Sequence, residues 1–177
     1  MWKKISTYYS PFVDVISFII LLLTAVYVIF QYRQLPEEIP HHFNIAGEPD
    51  AWGGKGILIG MLVLYGFILS QAFVLNYFLI INQEPKETMQ FVNMPFIKKE
   101  ALTEKQLKQI KRNTARMMAL INLMISLMFS WLLYRTIQTA MEQEGGLGPG
   151  ILILTLIILI VPFYYIWKTY RIAKGKY

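Results

Sequence analysis

Residues 12–32 read FVDVISFIILLLTAVYVIFQY, twenty-one positions with one charge, Asp14, and no glycine or proline. A helix rises about 1.5 Å per residue, so roughly 20 residues cover a hydrocarbon core about 30 Å thick. This stretch is long enough to cross a bilayer, and three others match it: Ile57 to Ile81, Met117 to Tyr134 and Ile151 to Trp167. Strands are a poor alternative, because an isolated strand in lipid leaves backbone polar groups unpaired and these runs lack barrel-like alternation. Composition agrees. The chain is 55% hydrophobic and 16% charged, against about 25% charged in ordinary soluble domains. The expected fold class is all-α, an integral membrane four-helix bundle.

Lys3 and Lys4 precede the first stretch as they would a signal peptide. Its apolar run is too long for that role and no small-x-small cleavage site follows, so it is read as a membrane helix. Cysteine is absent, which excludes disulfides, thiolate metal sites and cysteine nucleophiles.

Orientation follows from the 17 Lys and Arg residues. Fourteen lie before the first span, between the second and third, or after the fourth; only Arg33, Lys55 and Arg135 fall in the other two loops. The positive-inside rule then places both termini in the cytoplasm and predicts a multi-pass protein of the cell membrane. The net charge of +6 belongs to the inner face, where Lys98, Lys99, Lys105, Lys108, Lys111, Arg112 and Arg116 would contact anionic lipid or a partner. A pI near 9.4 also suits nucleic-acid binding, but the charges lie along juxtamembrane ends without a nucleic-acid module. Three regions result: 1–82 with an outer loop at 33–56, a basic cytoplasmic segment at 83–116, and 117–177.

Ser10-Pro11 has the chemistry of a helix start. Thr103 and Gln106 fit a capping box, and Leu107, Ile110, Thr114, Met117 and Ile121 recur at helical spacing, so the third helix should begin in the cytoplasm and run unbroken into the membrane. The second outer loop, Gln138 to Gly150, is glycine-rich and reads as a simple reversal. No repeat is evident.

The first outer loop carries Pro36, Pro40, Pro49 and several glycines, predicting an irregular, turn-rich segment. It also gathers both histidines, four carboxylates, Asn44 and Trp52. Imidazole and carboxylate suit a divalent metal, making His41, His42, Glu48 and Asp50 a weak candidate set. Their spacing matches no standard motif, and adjacent histidines point apart in extended chain, so no metal or other cofactor is expected. A structural reading has Asn44 and Asp50 bonding local turns, Gly47 and Gly53 at positive φ, and Trp52 anchored at the interface. A third makes the loop a recognition surface anchored by Phe43 and Trp52, with His41 and His42 able to respond to pH.

The pattern Ile39-Pro40-x-His42-Phe43-Asn44-x-x-Gly47-x-Pro49-Asp50-x-Trp52-x-x-Lys55, directly after a first span, resembles the loop of SdpI-type membrane proteins. The likeness covers roughly the first 80 residues. It implies recognition through His42, Phe43, Asn44, Gly47, Asp50, Trp52 and Lys55, and immunity to a secreted antimicrobial peptide toxin as the output. Some family members also hold a transcriptional repressor at the membrane. This chain is shorter than the best-known members, which have additional helices.

Inside the spans, Asp14 is the only acid, one turn from the cytoplasmic end and within reach of water or of Lys3 and Lys4. Gly66 with Ser70, and Asn122, Ser126 and Ser130 at four-residue steps, read as packing seams, with Gln71 and Asn76 in the same interior. Pro162 should kink the fourth helix. No His-Glu-x-x-His, paired intramembrane aspartates or Ser-His combination is present, so no enzyme activity is expected. One acid in four helices argues against a transporter unless the chain forms a homo-oligomer. There remain an immunity protein and, alternatively, a small regulatory or stabilising subunit of a larger membrane complex.

Overall fold

The computed structural model describes residues 1–95, 97–142 and 145–176. In chain order these form α1 (Trp2–Ile5), α2 (Phe12–Tyr32), β1 (Glu38–Phe43), β2 (Pro49–Gly54), α3 (Ile57–Leu75), α4 (Pro85–Thr88), α5 (Glu104–Ala140) and α6 (Gly148–Ala173). A π-helical turn, Asn76–Ile81, extends α3. Four helices are long and apolar enough to cross a membrane: α2, α3 with its extension, α5 and α6.

The 37-residue α5 is the hub, packing against α2, α3 and α6. Its start is the expected capping box: the Thr103 hydroxyl accepts from the Gln106 backbone N–H, and the Gln106 carboxamide accepts from the Thr103 N–H. The Gln106 amide also donates to the last carbonyls of α6, Ile172 at 3.0 Å and Ala173 at 3.1 Å. One residue thus starts one helix and closes another. Ser10 departs from expectation: its hydroxyl caps nothing, and α2 opens instead with the Val13 N–H donating to the Ser10 carbonyl.

Polar side chains join the helices at three depths. Asn122 donates to the Leu69 carbonyl; Ser126 donates to the Ser17 carbonyl and meets the Tyr65 hydroxyl; the Thr24 and Ser130 hydroxyls bond each other. Each such interhelical bond contributes on the order of 0.6 to 2 kcal/mol in a membrane. Tyr65 also stacks on Phe129 at the centre of an apolar cluster with Val28, Leu69, Leu133 and Ile137. Gly66 lies against Leu21, but Ser70 and Gln71 are exposed, contrary to the expected seam and interior. They sit on the face of α3 turned away from α2 and α5.

At the basic end, Asp14 is buried. Lys3 and Lys4 do not meet it; the Tyr9 hydroxyl donates to its carboxylate at 2.9 Å, and Asn76 donates both to Tyr9 and to the Ala115 carbonyl. Burial first, then the Asp14 charge, push the Tyr9 phenol above its ordinary value, so it remains a donor.

Candidate functional site

The first outer loop is not irregular. Its prolines and glycines fall at the ends and bulges of an antiparallel hairpin in which Glu38 faces Gly54, Ile39 faces Gly53 and Pro40 faces Trp52. The register then shifts twice: His42 faces Ala51 and Phe43 faces Pro49, leaving His41 extra on β1 and Asp50 extra on β2. Bulges tolerate the missing proline donors and turn selected side chains out of alternation. Here they bring His42 Nδ1 within 2.5 Å of Asp50 Oδ1. Asp50 therefore braces the strands and bonds no local turn. Gly53 lies in β2 without positive φ; it gives room to the His41 ring, whose Nδ1 would lie 3.0 Å from an added Cβ.

Asn44 makes the hairpin turn. Its side-chain oxygen accepts from the N–H groups of Ala46 and Glu48, its carbonyl from Gly47, and its amide donates to Glu48. Gly47 takes φ +80°, as expected of the residue that must turn left-handed.

Three attachments hold the hairpin over the bundle. Ile39 is fully buried in the cluster that contains Tyr65 and Leu133. Lys55 donates to the Leu35 carbonyl, pairs with Glu37 at 3.0 Å and lies over the Tyr32 ring. At the tip, the Gly47 carbonyl accepts from the Leu147 N–H at 2.8 Å. The second outer loop is thus a dock as well as a reversal, although residues 143 and 144 lie outside the described residues. Arg135 donates to the carbonyls of Gly145 and Gly146, and Trp131 to that of Leu147. Gly146 approaches so closely, at φ +65°, that a Cβ would sit 2.1 Å from the Gly47 oxygen.

The seven loop residues singled out in the sequence separate into two groups. Asn44, Gly47 and Lys55 build and fasten the hairpin. His42, Asp50 and Trp52 face outward, with Phe43 half-buried beside them. Ile45, 98% exposed at the tip, joins the outward group unanticipated; an isoleucine between turn residues was the available signal. Arg135 was also missed, although a lone arginine ending a span on the poorly charged side is the kind of exception that marks a tether. Glu48 is occupied with Asn44, and among the described residues no three His, Asp or Glu side chains converge as metal ligands.

The basic segment is also divided. Lys98, Lys105, Lys108, Arg112 and Arg116 are exposed. Lys111 is not at the lipid surface: it is buried, donates to the Gln83 carbonyl and lies over the Tyr8 ring. Lys99 is half-buried and donates to the Met89 carbonyl. These inward lysines fasten the segment, whose Met89, Val92 and Met94 pack on Leu107, Ile110 and Ile172.

The fold and site define a helical membrane protein whose first interhelical loop is a braced, capping hairpin. Residues 19–69 match the family model described as a domain of unknown function (DUF1648), which spans the last two thirds of α2, the hairpin and the first part of α3. The chain is also similar to an uncharacterized protein of Archaeoglobus fulgidus, 30% identical over 82 residues. That match covers 45% of this chain and 43% of the archaeal protein, so the chain spans less than half the length of this relative. No solved structure matches.

Proposed function

We propose that this is an SdpI-like membrane protein that protects its cell from a secreted antimicrobial peptide, with the outward face of the hairpin as the recognition surface. The carrying observation is the separation of roles within one loop. Asn44, Gly47 and Lys55 fix the backbone, while Trp52, Ile45 and the His42–Asp50 pair that braces the strands stay exposed to meet a ligand. A surface already ordered before binding loses little entropy on association. Its two large apolar side chains suit the apolar face of a membrane-active peptide, and the carboxylate of Asp50 suits its cationic groups. The matched domain of unknown function coincides with the hairpin and its flanking helices, which is compatible with the SdpI resemblance.

With the charge bias placing the hairpin outside, a peptide would reach it before inserting. The exposed basic residues of the opposite face would hold anionic lipid or a cytoplasmic regulator such as a repressor. The test is survival of a sensitive bacterial strain exposed to secreted peptides of the source organism, with and without the protein. Protection that disappears in a Trp52→Ala, Asp50→Ala variant of equal membrane abundance supports this reading. Absence of protection by the intact protein at equal expression would overturn it and favour a regulatory subunit.

A further inference from the structure

The face of α3 turned away from α2 and α5 carries two polar side chains. Ser70 and Gln71 are both exposed there, and among the described residues nothing hydrogen-bonds either side chain. Gln71 lies two positions from the middle of the 25-residue span Ile57–Ile81, about 3 Å along the axis at 1.5 Å per residue. Both polar edges of a hydrocarbon core are then more than about 10 Å away, beyond the reach of a glutamine side chain. Other mid-depth exposed positions are apolar, among them Leu22 and Leu23 on α2, Phe67 on α3, and Leu159 and Ile160 on α6. Three other hydroxyls in the spans, those of Ser17, Thr24 and Thr155, each donate to the carbonyl four residues back. Ser70 does not.

An unpaired carboxamide facing lipid costs several kcal/mol, which a protein partner removes and lipid does not. We infer that the Gln71 face of α3 is a homodimer interface, with Gln71 of two copies bonding each other across a two-fold axis. Copies inserted with the same orientation bring residue 71 to the same depth. A carboxamide is both donor and acceptor, so two identical side chains satisfy each other without another residue type. Backbone approach is open: Gly60, three turns away on the same face, has nothing within 4 Å of where a Cβ would stand. Phe67 and Val74, one turn to either side of Gln71, are exposed and flank the amide with apolar surface. A different membrane protein would have to present a polar group at this one depth. The inference is independent of the immunity reading, because it concerns the opposite side of α3 from the packed bundle.

The absence of cysteine makes the test direct. Val74→Cys, introduced alone in the full chain, is expected to cross-link in native membranes, whereas Ile160→Cys on α6 is not. Adding Gln71→Leu to Val74→Cys should weaken self-association about tenfold in a lipid-dilution series, while Gln71→Asn should preserve most of it. Gln71→Leu places an aliphatic group at a lipid-facing position, so the helicity and thermal transition of the monomer should be unchanged. Equal cross-linking at positions 74 and 160, self-association indifferent to Gln71→Leu, or a residue-74 adduct to a different protein would each overturn the homodimer.

Discussion

The Gly47 carbonyl accepts a hydrogen bond from the Leu147 N–H at 2.8 Å, joining two outer loops one hundred residues apart in sequence. Gly146 makes this approach possible, because no side chain fits between it and the Gly47 oxygen. Gly146→Ala is therefore expected to undock the hairpin tip as well as strain a left-handed backbone. The cost should be about 1 to 3 kcal/mol, seen as a lower thermal transition, with faster amide exchange at residues 44 to 48 and little change near Asn122. Unchanged exchange at the tip would mean that the two loops are held together without this contact.

Tyr65 is a second fixed point. Its hydroxyl meets both the carbonyl and the hydroxyl of Ser126 in the cluster that also receives Ile39. Tyr65→Phe keeps the ring and its stacking on Phe129 and removes only the bond. It should cost about 1 kcal/mol, and the part owed to the Ser126 hydroxyl should vanish in a Ser126→Ala background in a double-mutant cycle, while the part owed to the backbone carbonyl of residue 126 remains. Fully additive losses would refute the pairing of the two hydroxyls.

Span lengths and the helical start at Thr103 were legible because the bilayer and the capping box impose local rules that a single stretch obeys. The hairpin was not, because its prolines and glycines suggest irregular chain until bulges and edge positions give each a place. Nor could spacing separate Gly66 from Ser70: both lie on α3 one turn apart, yet only Gly66 meets Leu21. Which side of a uniformly apolar helix faces its neighbours is decided by tertiary packing, and periodicity is silent where nearly every residue is apolar. Lys111 shows the same limit, since a lysine in a basic run has the same sequence signature whether its amine reaches lipid or the Gln83 carbonyl.

That difference among the basic residues is measurable. Lys111→Met retains much of the apolar stem but leaves the Gln83 carbonyl without its donor, and should destabilise the protein by about 1 to 3 kcal/mol. Lys108→Met makes the same charge change at an exposed position and should stay within about 0.5 kcal/mol. Thermal denaturation of both variants in the same detergent checks the contrast; equal shifts would show that Lys111 has no special place.

At the Asp14 end, carboxylate, phenol and amide form a chain from α2 through Tyr9 to Asn76. Asp14→Asn keeps an oxygen for the Tyr9 donor, whereas Asp14→Leu leaves the half-buried Tyr9 hydroxyl without its acceptor. The leucine variant should therefore be less stable than the asparagine variant by about 1 to 3 kcal/mol, although leucine is the residue lipid itself prefers. If leucine instead proved neutral or stabilising at this position, the carboxylate would owe its presence to something other than holding Tyr9, and a functional role for the only acid in the spans would become the better account.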